Sequence, residues 1–516
     1  MLKSTNRMTR AVLQIWFLLS FSILAQNASV SKPNIIFILA DDLGWTDAGC
    51  YGSRYYETPN IDKLALQGMK FSNYHTNQNC APTRAALMSG QYAPRTGIYM
   101  VGSAKAKGGD MQNLPLVAVE NNNDLPLDKI TIAQALKNKG YSTAMFGKWH
   151  LGNYEKNTSF HPSKRGFDEA IETHGSHFKF NTSPETARQS DDYLADWLTD
   201  KAVDFIQRNK EKPFFLYLPH FAVHSPIQAK KDLETRFSAK PSVGGHSNPA
   251  YAAMIYSLDE SVGRIMKLLM DLNLEQNTIV IFSSDNGGVG GYDGPGGLIR
   301  LNEQLGNAKK AKVKGEGHIT DNAPLRSGKG SFYEGGTRAP FIVKWPGKIK
   351  EGTVSDIPCI HVDLYPTLLE ISGTEKPANY PLDGESLVPV FRDSGLLKRE
   401  AIFQHFPAYL GAGSNQWRAT PISTVISGEW KLMEFLEDHS IELYNLSHDI
   451  GEKHNVASQN PEKSKYLLDL LNQWRENIKA PMPKINLDKD KSKQMQNKKI
   501  KNKPENAIEA SLSEDQ

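Results

Sequence analysis

Cysteine is scarce in this chain. Its 516 residues hold three, Cys50, Cys80 and Cys359, which are widely spaced and follow no Cys-x-x-Cys pattern. That excludes a disulfide-rich framework and a paired-cysteine metal site. One bridge at most can form, so at least one cysteine needs another explanation, and burial as a small hydrophobe serves for Cys50 and Cys359. Charge of one sign is also lacking: the formal net charge is +3, and nothing in it calls for a nucleic-acid partner. No internal repeat is present. Long apolar runs are missing except for "AVLQIWFLLSFSILA", which follows Lys3, Arg7 and Arg10 and closes on small residues before Gln26. It falls short of the roughly 20 residues that a membrane-spanning helix needs. It reads as a secretory signal peptide over residues 1–25, with a retained anchor helix as the alternative. The expected protein is exported, periplasmic or secreted, with no stable membrane insertion once the signal is removed.

The length allows about two to four domains and a large core. "KPNIIFILADDLGW" is an aliphatic run that ends in two acids and a glycine, the pattern of a buried strand in a parallel sheet. The same grammar recurs in "KPFFLYLPHFAVHSP" and "NTIVIFSSDNGG", with helical patterns such as "TIAQALKNKG" and "SLDESVGRIMKLLMDLN" between. The expected fold is α/β: a central mixed, mostly parallel sheet sandwiched by helices. Strand ends then deliver Asp41 with Asp42, His220 with His224, and Asp285 with Asn286 to one sheet edge, where open α/β sheets bind ligands. Long Gly- and Asn-rich loops at 101–124 and 287–330 are expected to shape a pocket. From about residue 393 the texture alternates, as in "STVISGEWKLMEF" and "SIELYNLSHD". This predicts a smaller C-terminal α+β domain, 393–480, built on an antiparallel sheet and covered by the amphipathic helix "NPEKSKYLLDLLNQWRENI". Residues 26–392 would form the larger domain, and the Lys-rich residues 481–516 a solvated, disordered tail.

Cys80 stands in "NCAPTR", with Pro82 and Arg84 at fixed spacing. A buried thiol, or a nucleophile paired with a histidine, would require neither neighbour. Asp41, Asp42, Asp285 and Asn286 make a hard-oxygen set suited to Ca2+ or Mg2+ rather than zinc, although a strand-end Asp-Asp alone also serves as a helix cap. Lys148 and His150, in "GKWHLG", sit two apart and would share one side of an extended segment. Together with "SGQYAPRTG", "HSP", "GKGSFYEGGTRAPF" and "ELYNLSHDIGEKHNV", these stretches occur in an order that resembles the formylglycine-dependent sulfatase family of the alkaline phosphatase superfamily, over about residues 32–460.

The resemblance implies that a dedicated maturation system oxidises Cys80 to formylglycine, which is hydrated in the active enzyme. It implies a metal held by Asp41, Asp42, residue 80, Asp285 and Asn286, with Ca2+ favoured and Mg2+ the alternative. By family position, Lys148 and Lys329 contact the sulfate and His150 holds a hydroxyl of the hydrated aldehyde. His224 protonates the leaving alcohol, and Arg84 is the fixed cation. One geminal hydroxyl attacks sulfur; the second lets collapse to the aldehyde expel sulfate, a route that serine lacks. His220 is read as structural or supporting. His174, His177, Arg326 and His405 are placed in loops rimming the pocket, where they could read the rest of a sulfated carbohydrate. Two other readings stay open at this point: a phosphomonoesterase or phosphodiesterase of the same superfamily, and a non-catalytic glycan-binding protein.

Overall fold

The computed structural model describes residues 32–102, 114–152, 158–291, 319–393, 395, 397–413 and 416–487. The expected signal segment, parts of both long loops and the chain beyond residue 487 lie outside the described residues.

Nine strands form the main sheet: β1 (Asn34–Ala40), β2 (Met69–Phe71), β3 (Ser142–Gly147), β4 (Glu169–His174), β5 (Asn181–Ser183), β6 (Phe214–Pro219), β7 (Thr278–Ser284), β8 (Phe341–Lys344) and β9 (Thr353–Ser355). Their spatial order is β9-β2-β8-β7-β1-β6-β3-β4-β5. The central run from β7 to β4 is parallel, while β8 and β5 run against their neighbours. β1 is buried along its whole length, which explains why it reads as unbroken aliphatic sequence.

Alternate residues of β1 feed two cores. Ile36 and Ile38 pack with α1 (Pro59–Leu66), α4 (Leu194–Arg208) and α5 (Pro249–Asp271), whereas Ile35, Phe37 and Leu39 pack with α2 (Cys80–Ser89), α3 (Ile132–Asn138) and α6 (Leu364–Ser372). The helices start where capping chemistry allows. Thr131 and Gln134 form a capping box at α3, and Asn248 caps α5 ahead of Pro249. The result is the expected α/β/α sandwich.

The second sheet is antiparallel, in the order β10 (Ile402–Phe406), β11 (Ile422–Ser427), β12 (Trp430–Phe435), β13 (Ser440–Asn445). Leu467, Leu471 and Trp474 of α7 (Pro461–Ile478) bury against Val425, Leu432 and Leu443. A buried ionic cluster joins the two sheets. Lys431 Nζ of β12 lies 2.8 Å from both Glu334 and Glu452, and Glu334 also pairs with His75 at 3.1 Å and Arg338 at 2.5 Å. Lys484–Ile485 pairs antiparallel with Leu116–Val117, so the first residues of the expected tail are ordered. Two residues are too few for any periodicity to announce them. All three cysteines are free, with Cys359 buried and Cys50 half-buried.

Candidate active site

Because β1, β3, β6 and β7 run parallel, their C-terminal ends meet at one edge. Asp41 and Asp42 follow β1, Lys148 and His150 follow β3, His220 and His224 follow β6, and Asp285 and Asn286 follow β7. Cys80 is the first residue of α2, and Arg84 lies one turn further on. Asp42 (φ 65°) and His150 (φ 60°) both adopt the left-handed conformation. Such backbone costs a non-glycine residue on the order of 1–3 kcal/mol and clusters at functional sites. Gly147, at φ 133°, precedes Lys148, and a Cβ there would fall 1.9 Å from the Pro219 carbonyl oxygen. Lys329 enters from the loop before β8, where a Cβ on Gly328 would lie 2.3 Å from the Gly290 carbonyl oxygen.

Three buried carboxylates face three buried cations. Arg84 donates to Asp285 Oδ2 through Nε (3.0 Å) and Nη2 (2.7 Å), and to the Lys148 carbonyl at 2.5 Å. Lys148 Nζ lies 2.5 Å from Asp41 and Lys329 Nζ 2.7 Å from Asp42. His224 Nε2 is 3.7 Å from Asp42. Cys80 Sγ is 3.3 Å from Asp41 Oδ1 and 3.9 Å from Asp42 Oδ1. Asn286 donates to Asp42 Oδ1 at 2.8 Å, and Tyr251 donates its hydroxyl to the Asp42 carbonyl. Every carboxylate, cysteine and amide expected at the site therefore converges with Arg84, Lys148, His224 and Lys329.

The charges set the protonation states. Burial opposes ionisation of Asp42, but Lys329, His224 and Lys148 outweigh it and hold its carboxyl below the usual range. Asp285 is pushed up to about 6 by burial and by Asp41, against Arg84. Burial, then Asp285 and Asp41, raise the Cys80 thiol well above its ordinary value. An unmodified Cys80 is thus a protonated thiol, a poor nucleophile. Burial and the neighbouring Lys329 and Lys148 lower His224 to about 3, and burial and Lys148 lower His150 well below its ordinary value. Both imidazoles are neutral.

The expected rim residues are placed differently. His405 lies on β10, not in a loop, and is buried between Ser423 (2.8 Å) and the Pro481 carbonyl (2.9 Å). The alternating strand hides it because its polar face is covered by the chain after α7. His177 is fully buried, not at the rim, and its Nε2 donates to the His224 carbonyl at 2.8 Å. Arg326 stacks on Tyr333, 3.7 Å to the ring centroid, and bonds the Tyr444 hydroxyl and Glu452 carbonyl, which turns it toward the second sheet. His174 is half-buried at the end of β4. His220 is wholly buried, 3.0 Å from the Ser261 hydroxyl, in keeping with a structural role. Sequence reading missed Glu172, whose carboxyl meets the His150 backbone.

The donor set fits a divalent cation. Ligand atoms of Asp41, Asp42, Cys80 and His224 lie within 4.8 Å of one another. The Oδ1 of Asn286 is buried and has no hydrogen-bond partner among the described residues, as expected of an oxygen reserved for an ion. Buried hard oxygens flanked by fixed cations, at the parallel edge of an α/β/α sandwich, make a site suited to a divalent cation and an oxyanion.

Residues 33–374 match the sulfatase family, and residues 328–479 match the C-terminal region described as N-sulphoglucosamine sulphohydrolase. A sulfatase of Formosa agariphila is 35% identical, covering 88% of this chain and 89% of that protein. Human N-acetylgalactosamine-6-sulfatase is 30% identical over 75% of this chain and 71% of its own length. The crystal structure of Ps i-CgsB in complex with k-i-k-neocarrahexaose superposes with a TM-score of 0.68 at 29% identity, covering 86% of this chain and 93% of that one. The chain belongs to the sulfatase family and is a sulfuric ester hydrolase.

Proposed function

We propose that this enzyme is exported and releases sulfate from a sulfated carbohydrate, using a hydrated formylglycine made from Cys80 and a divalent metal, Ca2+ in preference to Mg2+. The observation that carries the reading is the position of Cys80. It sits at the head of a buried helix, 3.3 Å from Asp41, with Arg84 one turn below it and Lys148 and Lys329 paired to the neighbouring carboxylates. The maturation system that recognises Cys80, Pro82 and Arg84 is the implied protein partner. Those same residues argue against the phosphoesterase alternative, whose nucleophile is usually serine or threonine. The carbohydrate assignment draws on relatives named for N-acetylgalactosamine 6-sulfate and on a neighbour crystallised with a neocarrahexaose. Export rests on the apolar N-terminal segment. Among the described residues no helix is long and apolar enough to cross a membrane. The catalytic unit is assigned to residues 26–392 and the smaller one to 393–480.

In this reading Asp41, Asp42, Asp285, Asn286 and residue 80 hold the ion, which would neutralise a sulfate oxygen and make the residue-80 hydroxyl acidic. The protein's own charges balance there, Asp41, Asp42 and Asp285 against Arg84, Lys148 and Lys329. Lys148 and Lys329 take the sulfonyl oxygens as negative charge builds on them. Bound sulfate ester brings negative charge beside His224 and favours its protonated form, which supplies the proton to the leaving alcohol, and His177 fixes its backbone from behind. His150 removes the proton whose loss lets sulfate depart. Arg84 holds Asp285 and the Lys148 carbonyl, keeping helix, metal ligand and sulfate ligand in register.

Mass spectrometry of the peptide carrying residue 80, from protein made in a host with the maturation system, should show that one sulfur and two hydrogens have been lost and one oxygen gained. A panel of sulfated mono- and oligosaccharides should then release inorganic sulfate. An unmodified Cys80 in fully active protein would refute the reading.

A further inference from the structure

We propose that Glu172 is a positioning residue for His150: its buried carboxyl accepts the His150 backbone N–H and fixes the left-handed turn that presents the imidazole to the pocket. The proposal rests on the sulfatase reading for the role of His150. The turn after β3 is pinned at three points. The Lys148 N–H bonds the Pro219 carbonyl at 2.8 Å, the Lys148 carbonyl accepts from Arg84 at 2.5 Å, and the His150 N–H meets Glu172 Oε1 at 3.4 Å. The first two are backbone groups of Lys148, so of the three it is Glu172 that restrains His150 itself. Parallel pairing of β3 with β4 brings this about, since Glu172 stands opposite Gly147, three residues before His150.

Glu172 is completely buried, and its Oε2 has no hydrogen-bond partner among the described residues. Burial pushes its carboxyl up to about 8; the His150 N–H and Arg84, reaching over from α2, act the other way. Among the described residues, its partners on the flanking strands carry no titratable charge. Gly147 and Ser183 lie on the flanking strands, and His150 is a neutral imidazole. A neutral carboxylic acid suits this place. It leaves Arg84 committed to Asp285 and adds no negative charge to a pocket that must receive an anion. Above about pH 8 the carboxylate would form, draw on Arg84 and loosen its hold on Asp285 and on the Lys148 carbonyl that leads into the His150 turn.

The test compares Glu172→Gln and Glu172→Ala in otherwise intact, matured enzyme. Glu172→Gln keeps the acceptor and the neutrality, so it should stay within about threefold of wild type near pH 7 and lack the decline in activity expected of wild type through about pH 8. Glu172→Ala should lose about 10- to 100-fold in kcat with little change in KM, the scale of a misplaced catalytic group. A second readout needs no turnover. The His150 ring resonance, assigned through His150→Gln, should shift above pH 8 in wild type and not in Glu172→Gln. An unshifted resonance in wild type overturns the proposal, as does Glu172→Gln failing as badly as Glu172→Ala, or a loss of thermal stability in Glu172→Ala with kcat intact. If wild type releases no sulfate from any ester, the sulfatase reading fails, and the resonance titration still judges the contact.

Discussion

Replacing Arg84 with methionine removes a cation that is wholly buried and keeps a side chain of similar reach. The loss can be worked from the contacts. At 2.7 Å from Asp285, the pair attracts by about 6 kcal/mol at an effective dielectric of 20. A second carboxylate, Asp41, lies 3.6 Å away. Desolvation of the guanidinium offsets part of this, and breaking one partner of a buried pair costs about 3–5 kcal/mol net, because the remaining charge is stranded. Asp285, already raised to about 6, should then titrate higher and be protonated near neutral pH. For a domain of this size the change corresponds to a fall in Tm of about 4–6 °C. Scanning calorimetry in the presence of a chelator measures it, with Arg84→Lys as a control that keeps the charge but not the bidentate fork and should fall between. Added Ca2+ should raise the Tm of Arg84→Met more than that of wild type, since the acidic cluster has lost an internal cation. A variant whose Tm lies within about a degree of wild type, with Ca2+ shifting both alike, would refute this account of the pocket.

Three further outcomes are expected. His224→Gln should lower kcat by about 10²- to 10⁴-fold on alkyl sulfates and far less on aryl sulfates with acidic leaving groups, since only the former need the proton; equal losses on both would reject general-acid catalysis. Ca2+ at about 100 times its Kd should stabilise the protein by about 2.7 kcal/mol, and Asn286→Ala should weaken that thermal shift. Asp259 is buried beneath the start of α1, where it accepts the Asn60 and Ile61 N–H groups, and burial raises its carboxyl from 3.8 to about 6. A raised acid contributes stability that is complete below the unfolded value and lost as pH climbs through the folded one, so about 3 kcal/mol should disappear between roughly pH 4 and pH 6. Urea titrations of Asp259→Asn should lack that component.

The parts of the site at strand ends were legible because an aliphatic run that stops at a polar pair has few other uses. Asp41, Asp42, Asp285, Asn286 and His224 all announce themselves in this way, and the parallel sheet does the rest. The large sheet and the antiparallel C-terminal sheet were readable for the same reason, through continuous and alternating burial respectively. Glu172 was not, because "EAIETH" looks like an ordinary half-exposed strand, and only pairing across β3 shows which of its acids is sealed inside. His177 and His405 were misplaced because a histidine near Gly or Pro reads as loop decoration until the neighbouring strands cover it. Arg326 escaped for a different reason: its partners, Tyr444 and Glu452, are more than a hundred residues away.

The Lys431 cluster also bears on how such a chain can diversify. Glu334 opens a short helix five residues after Lys329, so the lysine that the proposed reading places on the sulfate is linked through five residues to Lys431 on the other sheet. Cutting the chain after residue 392, or grafting the small sheet of a distant relative, would remove Lys431 and leave Glu334 with Arg338 and His75 alone, loosening the brace on the segment that carries Lys329. The segment that carries Lys329 is therefore braced from the second sheet, and a transplanted sheet would have to supply a cation where Lys431 meets Glu334 and Glu452.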